Sequence, residues 1–191
     1  MSSGGIRLIL VAALVLGLPV RAAPAGAEPA RFRIEPEASE LTFKATSRLV
    51  NADGRFHRFA GEVLADPKDL ARARVSVTVE AASLDTGITR RDNHLRSADF
   101  FDVERFPAVT FEGLAVEPAG SQAVLRGRLT LRGVTREIRV PLELEVADGR
   151  MVARGQFTLN RSDYGMSYQS RLNPVGETVG VAFTFRATAV P

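Results

Sequence analysis

Ile138-Arg139-Val140-Pro141-Leu142-Glu143-Leu144-Glu145-Val146, followed by Ala147-Asp148-Gly149, decides the class of fold. Ile138, Val140, Leu142, Leu144 and Val146 recur every second residue, with Arg139, Glu143 and Glu145 between them. That period places the apolar side chains on one face of a strand, whereas a helix would scatter them around its circumference. Asp148-Gly149 then marks a tight hairpin, since Gly supplies the positive φ that such turns demand. The same alternation returns at Val179, Val181, Phe183 and Phe185, and at Val75, Val77, Val79 and Ala81. Shorter runs at Leu41 to Ser47, Phe59 to Ala65, Val109 to Val116, Val124 to Leu131 and Val152 to Leu159 follow the same pattern. Asp53-Gly54, Asp66-Pro67, Pro118-Ala119-Gly120 and Arg132-Gly133 read as the turns between them. Short connections imply antiparallel neighbours, and a long antiparallel series removes its exposed edges by closing into a barrel.

The segment before this body has a different composition. Arg7, an apolar run from Leu8 to Val20 and a small-residue stretch ending Ala25-Gly26-Ala27 form the layout of a secretory signal peptide, expected over residues 1–27 with the mature domain from 28 to 191. The run is short for a membrane anchor and is broken by Pro19 and Arg21. Export to the periplasm is the expectation. The chain has no cysteine, so an oxidising compartment adds no disulfide and the core alone must hold the fold. Of 25 Lys and Arg, two (Arg7 and Arg21) leave with the first 27 residues, so 23 basic groups face 22 acidic ones and the mature net charge is +1. Such a balance makes no case for nucleic acid, whose binding relies on clustered cations.

Between two strand runs lies Thr89-Arg90-Arg91-Asp92-Asn93-His94-Leu95-Arg96-Ser97-Ala98-Asp99-Phe100, the one convincing helix, expected over about Arg90 to Phe100 with Thr89 as its cap and Asp92 answering it. Arg91, Asp92, His94, Ser97 and Asp99 offer an acid, a base and a hydroxyl, but Asp92 and Ser97 do not share a helical face with His94, and no Gly-x-Ser-x-Gly elbow occurs. No catalytic residue is assigned, and the chain is read as a non-enzyme. Two histidines, His57 and His94, without cysteine or a carboxylate-rich loop assign neither a metal site nor a cofactor.

Ala82-Ser83-Leu84-Asp85-Thr86, Arg91-Asp92-Asn93-His94-Leu95-Arg96-Ser97, Asp99-Phe100-Phe101-Asp102 and Phe106-Pro107 with Thr110-Phe111 closely resemble the motifs of the YceI-like family. Gly127-Arg128-Leu129-Thr130-Leu131-Arg132-Gly133-Val134-Thr135-Arg136 and Asn160-Arg161-Ser162-Asp163-Tyr164-Gly165-Met166 are similar to its later motifs, so the resemblance runs from about Arg31 to Val190. Ser47 to Gly54 departs from it, lacking a longer His-containing segment many relatives carry. The resemblance implies an all-β, antiparallel, lipocalin-like barrel of about eight strands with a short helix near one end. It also implies a secreted carrier of an isoprenoid, quinone-like or other long-chain lipid.

Under that reading Arg90, Arg91 and Arg96 suit a prenyl phosphate head group, since the guanidinium fork matches phosphate oxygens. Ion pairing with Asp92, Asp99 and Asp102 is the competing role. His94, Phe111, Tyr164, Met166, Tyr168, Phe183 and Phe185 join them as candidate ligand contacts, the aromatic rings among them equally suited to packing the core. The implied partner is a long-chain lipid, with transient membrane contact and a monomer or homodimer both compatible. A periplasmic hydrolase or lipid-modifying enzyme, and a filled barrel acting as a stress-related interaction module, stand as alternatives.

Overall fold

The computed structural model describes residues 29–48, 51–66, 69–119 and 122–191. Its elements in order are β1 (Ala30–Ile34), β2 (Glu40–Ser47), β3 (Ala52–Phe56), β4 (Phe59–Asp66), β5 (Asp69–Glu80), β6 (Leu84–Asp85), α1 (Thr89–Arg96), β7 (Ala108–Ala119), β8 (Gln122–Leu131), β9 (Val134–Ala147), β10 (Arg150–Asn160) and β11 (Val175–Val190). These segments form a closed antiparallel barrel of 8 strands. The count falls because β1 and β2, β3 and β4, and β5 and β6 each act as one bent strand. Thus β11 pairs with both β1 and β2, β1 and β2 pair with β4 and β3, and those pair with β5 and β6. Closure comes from Arg31↔Val190 to Ile34↔Ala187, which removes the sheet edge along β1 and β11; the two-residue β6, paired only with β3, ends the β2–β3 branch.

The bends are pinned by side chains. Ser83 Oγ accepts from the Arg58 amide at 3.0 Å and donates to the Glu80 carbonyl at 2.7 Å, tying the bend between β3 and β4 to that between β5 and β6. Arg58 and Glu80 add a two-bond ion pair at 2.5 Å, which raises the guanidinium pKa and lowers that of the carboxylate. Ser39 Oγ accepts from the Arg186 amide at 2.9 Å and fastens the bend between β1 and β2 to β11.

Two tight turns form as the sequence predicts: Arg132-Gly133 (φ +52° and +74°) and Asp148-Gly149 (φ +50° and +70°). Positive φ at both central residues gives hairpin turns the right-handed strand twist they join. Asp53-Gly54 is not a turn. It lies inside β3, paired with Lys44 and Phe43, and glycine is required because a β-carbon there would sit 2.5 Å from the Phe43 ring. Pro118 and Ala119 likewise continue β7, in register with Ala123 and Gln122. The helix starts at Thr89 and stops at Arg96, and Thr89 does not cap it. Ile88 holds the cap position without a side-chain bond, and buried Asp92 reaches back to the amide and hydroxyl of Thr86. The Asp66-Pro67 turn, residue 120 and the leader at 1–27 lie outside the described residues, or in part outside them.

The strand directions sort the connections into two ends. The turns at 132–133, the segment 86–107 holding α1, the β2–β3 connection and the segment 161–174 share one end, called here the helix end. The Asp148-Gly149 hairpin and both termini of the barrel strands lie at the other.

Candidate functional site

Inward-facing residues of nearly every strand surround a cavity of about 720 Å³. That volume falls inside the roughly 300–1,000 Å³ typical of ligand sites. Its deep wall is apolar: Val77, Leu125, Leu142, Leu144, Val181 and Phe183 are representative. At the hairpin end, buried Ala65, Ala73, Val116, Met151 and Ala187 form the floor. The polar lining gathers at the helix end, where Thr46, Ser47, Arg90, Arg91, His94, Tyr168, Ser170 and Asn173 border the space. The result is an apolar tube with a polar mouth.

Small residues make room for large rings in the wall. Phe183 stacks on Phe185 (centroids 4.8 Å apart, planes at 24°) and lies over Gly155, where a β-carbon would come within 2.6 Å of its ring. Phe111 covers Gly127 in the same way, at 2.3 Å. Glycines opposite these rings let inward aromatic groups lie flat against the sheet, which keeps the centre open.

The ten candidate contact residues separate into two groups. Arg90, Arg91, His94, Phe111, Met166, Tyr168, Phe183 and Phe185 border the cavity. Arg96 and Tyr164 do not. Arg96 donates to the carbonyls of Ala82 (2.9 Å) and Leu84 (2.6 Å), clamping the helix to the β5–β6 bend. Tyr164 is 2% exposed and packs with Phe100, Leu129 and Leu131. Burial first, and the Asp163 charge second, push its hydroxyl pKa above the ordinary value.

At the mouth the helix arginines differ. Arg91 is occupied, donating to Thr86 Oγ1 at 2.8 Å, the Thr86 carbonyl at 3.0 Å and the Asn51 carbonyl at 3.0 Å. Arg90 is exposed and has no ion-pair or hydrogen-bond partner among the described residues. His94 is wedged edge-on between Phe100 and Tyr168 and contacts Asp99 at 2.9 Å. Ser97 Oγ donates to the His94 carbonyl at 2.8 Å, so the hydroxyl is directed at backbone and not at the imidazole. Asp102, the third acid weighed as an arginine partner, pairs with Arg105.

Arg161 was not singled out from sequence. It borders the cavity at 2% exposure and donates to the carbonyls of Met166, Gly176 and Val175 and to Glu177, holding the segment 166–177 against the barrel end. Its signal was available: Phe157 and Leu159 face inward at the end of β10, and Arg161, the next residue in that phase, follows directly as the first residue of a 3-10 turn. Ser170 and Asn173 had no such signal, because no repeating pattern orients an irregular loop.

Comparison with known proteins agrees with this architecture. A "UPF0312 protein" of Pseudomonas aeruginosa is 35% identical over 133 residues, covering 66% of this chain and 68% of the relative. Protein YceI of Escherichia coli is 40% identical over 91 residues, 48% of each chain. Among solved structures, Burkholderia cenocepacia BcnA superposes with a TM-score of 0.76 at 24% identity, over 81% of this chain and 99% of its own. A polyisoprenoid binding domain from Saccharophagus degradans does so with a TM-score of 0.68 at 17% identity, over 85% and 100%. Both share the fold. The model of the YceI-like domain matches residues 32–187, the barrel from its first strand to its last, and the chain therefore belongs to the YceI-like family.

Proposed function

We propose that the barrel holds one long-chain apolar molecule of the isoprenoid class, its tail in the tube and its head at the helix-end mouth. On this reading the protein is exported through the leader at residues 1–27 and carries its ligand through the periplasm, without catalysing a reaction on it. The observation that carries the proposal is the apolar cavity of about 720 Å³ with its polar groups confined to one end. A tail enclosed there gains about 0.8 kcal/mol per buried methylene, so a long chain offsets a sizeable cost of association. The family membership and the polyisoprenoid binding of the Saccharophagus domain support this ligand class. Among the described arginines that border the cavity, Arg90 is free to meet a charged head, whereas the Arg91 guanidinium already serves Thr86 and Asn51.

Organic extraction of protein purified from periplasm, followed by mass spectrometry, should release a long-chain lipid. Arg90→Gln should weaken binding of a prenyl phosphate more than binding of the matching prenyl alcohol, since only the phosphate loses a charge-assisted bond. Protein that is always empty and takes up neither added lipid would refute the reading. Equal losses for both lipids would place the head group elsewhere.

A further inference from the structure

The lip of the cavity has a chemistry that ligand binding alone does not require. Among the described residues only three large apolar side chains are exposed: Ile88 (48%), Leu114 (41%) and Leu172 (85%). Two of them, Ile88 and Leu172, stand at the mouth. Ile88 borders the cavity as the residue before α1, and Leu172 lies at the tip of a bend whose two feet, Ser170 and Asn173, also border it. The bend is held in shape by the Asn173 amide donating to Ser170 Oγ at 3.2 Å. Leu172 is therefore projected outward by a built turn, with almost none of its surface covered by the protein.

Three cations around this lip have no ion-pair partner among the described residues. Arg48, Arg90 and Arg171 are all exposed, and no carboxylate lies within ion-pair distance of any of them among the described residues. Contacts of neighbouring residues bring them to one end: the Arg48 amide bonds to the carbonyl of Pro174, three residues after Arg171, at 3.2 Å, and the guanidinium of Arg91, next to Arg90, reaches the Asn51 carbonyl at 3.0 Å. Four acids of the same end are engaged elsewhere, Asp99 with His94, Glu177 with Arg161, Asp92 with Thr86 and Asp85 with His57. Along the barrel wall, by contrast, arginine is commonly matched: Arg33 with Glu62, Arg58 with Glu80, Arg128 with Glu112, Arg139 with Glu117 and Arg154 with Glu145.

From this arrangement we infer that the helix-end lip docks on an anionic lipid bilayer, with Leu172 and Ile88 inserted at the acyl boundary and Arg48, Arg90 and Arg171 against head-group phosphates. Amphipathic surfaces bind bilayers through this combination of apolar insertion and cation–phosphate attraction. Docked so, the mouth faces the membrane interior, and a tail can pass between bilayer and cavity without crossing water. The inference rests on the proposed lipid carriage for its purpose, but membrane docking is measurable without any ligand.

The test uses protein purified after expression of the full chain, with Leu172→Asp and Arg171→Gln as variants, because neither residue borders the cavity. Co-sedimentation is measured with vesicles of phosphatidylcholine alone and of phosphatidylcholine mixed with phosphatidylglycerol. Wild type should favour the mixed vesicles, Arg171→Gln should bind them about fivefold less, as expected for one arginine near an anionic surface, and Leu172→Asp should lose more than that. Both variants should keep wild-type affinity for a soluble short-chain prenyl alcohol while transferring a fluorescent prenyl lipid between vesicles more slowly. Equal binding to the two vesicle types, no binding by wild type, or variants that sediment like wild type would overturn the docking. Loss of prenyl alcohol binding by the wild type would count against lipid carriage and leave docking to be judged by sedimentation.

Discussion

Replacing Phe183 by alanine probes whether the barrel centre is open. In a solid core the loss of a buried Phe costs about 3–5 kcal/mol, because a new void adds to the lost transfer free energy. Phe183 has a different setting: one ring face rests on Phe185 and Gly155 and the rest borders a space that already exists. Full burial of such a side chain is worth about 1.5–3 kcal/mol and the stacking about 0.5–1.5 kcal/mol. Half the first plus the second, with no void created, gives a loss of about 2 kcal/mol for the empty protein. Phe32 is the internal control, being 2% exposed in a packed cluster with Phe59 and Met151 and off the cavity wall. Phe32→Ala should cost about 3–5 kcal/mol. Denaturant midpoints of wild type and both variants, with and without a prenyl lipid, read the difference. Phe183→Ala should also reduce the shift that lipid produces, since ligand stabilises by mass action on its own affinity. A loss for Phe183→Ala as large as that for Phe32→Ala, with an unchanged lipid shift, would refute the open centre.

Arg161→Met should be among the most damaging single substitutions, at about 3–5 kcal/mol, because it removes a buried guanidinium that serves the Met166, Gly176 and Val175 carbonyls and Glu177. Arg161→Lys should recover only part of this in thermal melts, since an ammonium lacks the fork; a Met variant that melts like wild type would remove the clamp role. Acid should weaken the fold through Asp85, whose carboxyl pKa is held below its ordinary value first by the Gly87 amide and then by His57, and through Glu80, held down by Arg58. For a lowered folded pKa the contribution is complete above the ordinary carboxylate value near about 4 and fades as pH falls through the lower folded value. Melting temperature should therefore decline on the acid side, and Asp85→Asn should flatten that decline; an identical acid profile in the variant would exclude Asp85 as a contributor.

The local pattern of the chain determined the strand class, the inward phase of β9 and β11, and the hairpins at Arg132-Gly133 and Asp148-Gly149. Alternation and positive-φ turn residues act over a few neighbours, so one sequence suffices to read them. The inward register of Val179, Val181, Phe183 and Phe185 followed from the same rule. Asp53-Gly54 was misread because the reason for that glycine is the Phe43 ring across the β2–β3 pair, a contact that no window around residue 54 contains. Arg90, Arg91 and Arg96 are equivalent as letters on one short helix, yet one faces the mouth with no partner among the described residues, one holds the Thr86 turn and one clamps the β5–β6 bend. Barrel closure by β1 on β11, and the open volume that the two sides then enclose, belong to the tertiary structure. They arise from pairing between residues about as far apart as the chain allows, and such contacts leave no periodic trace in the sequence.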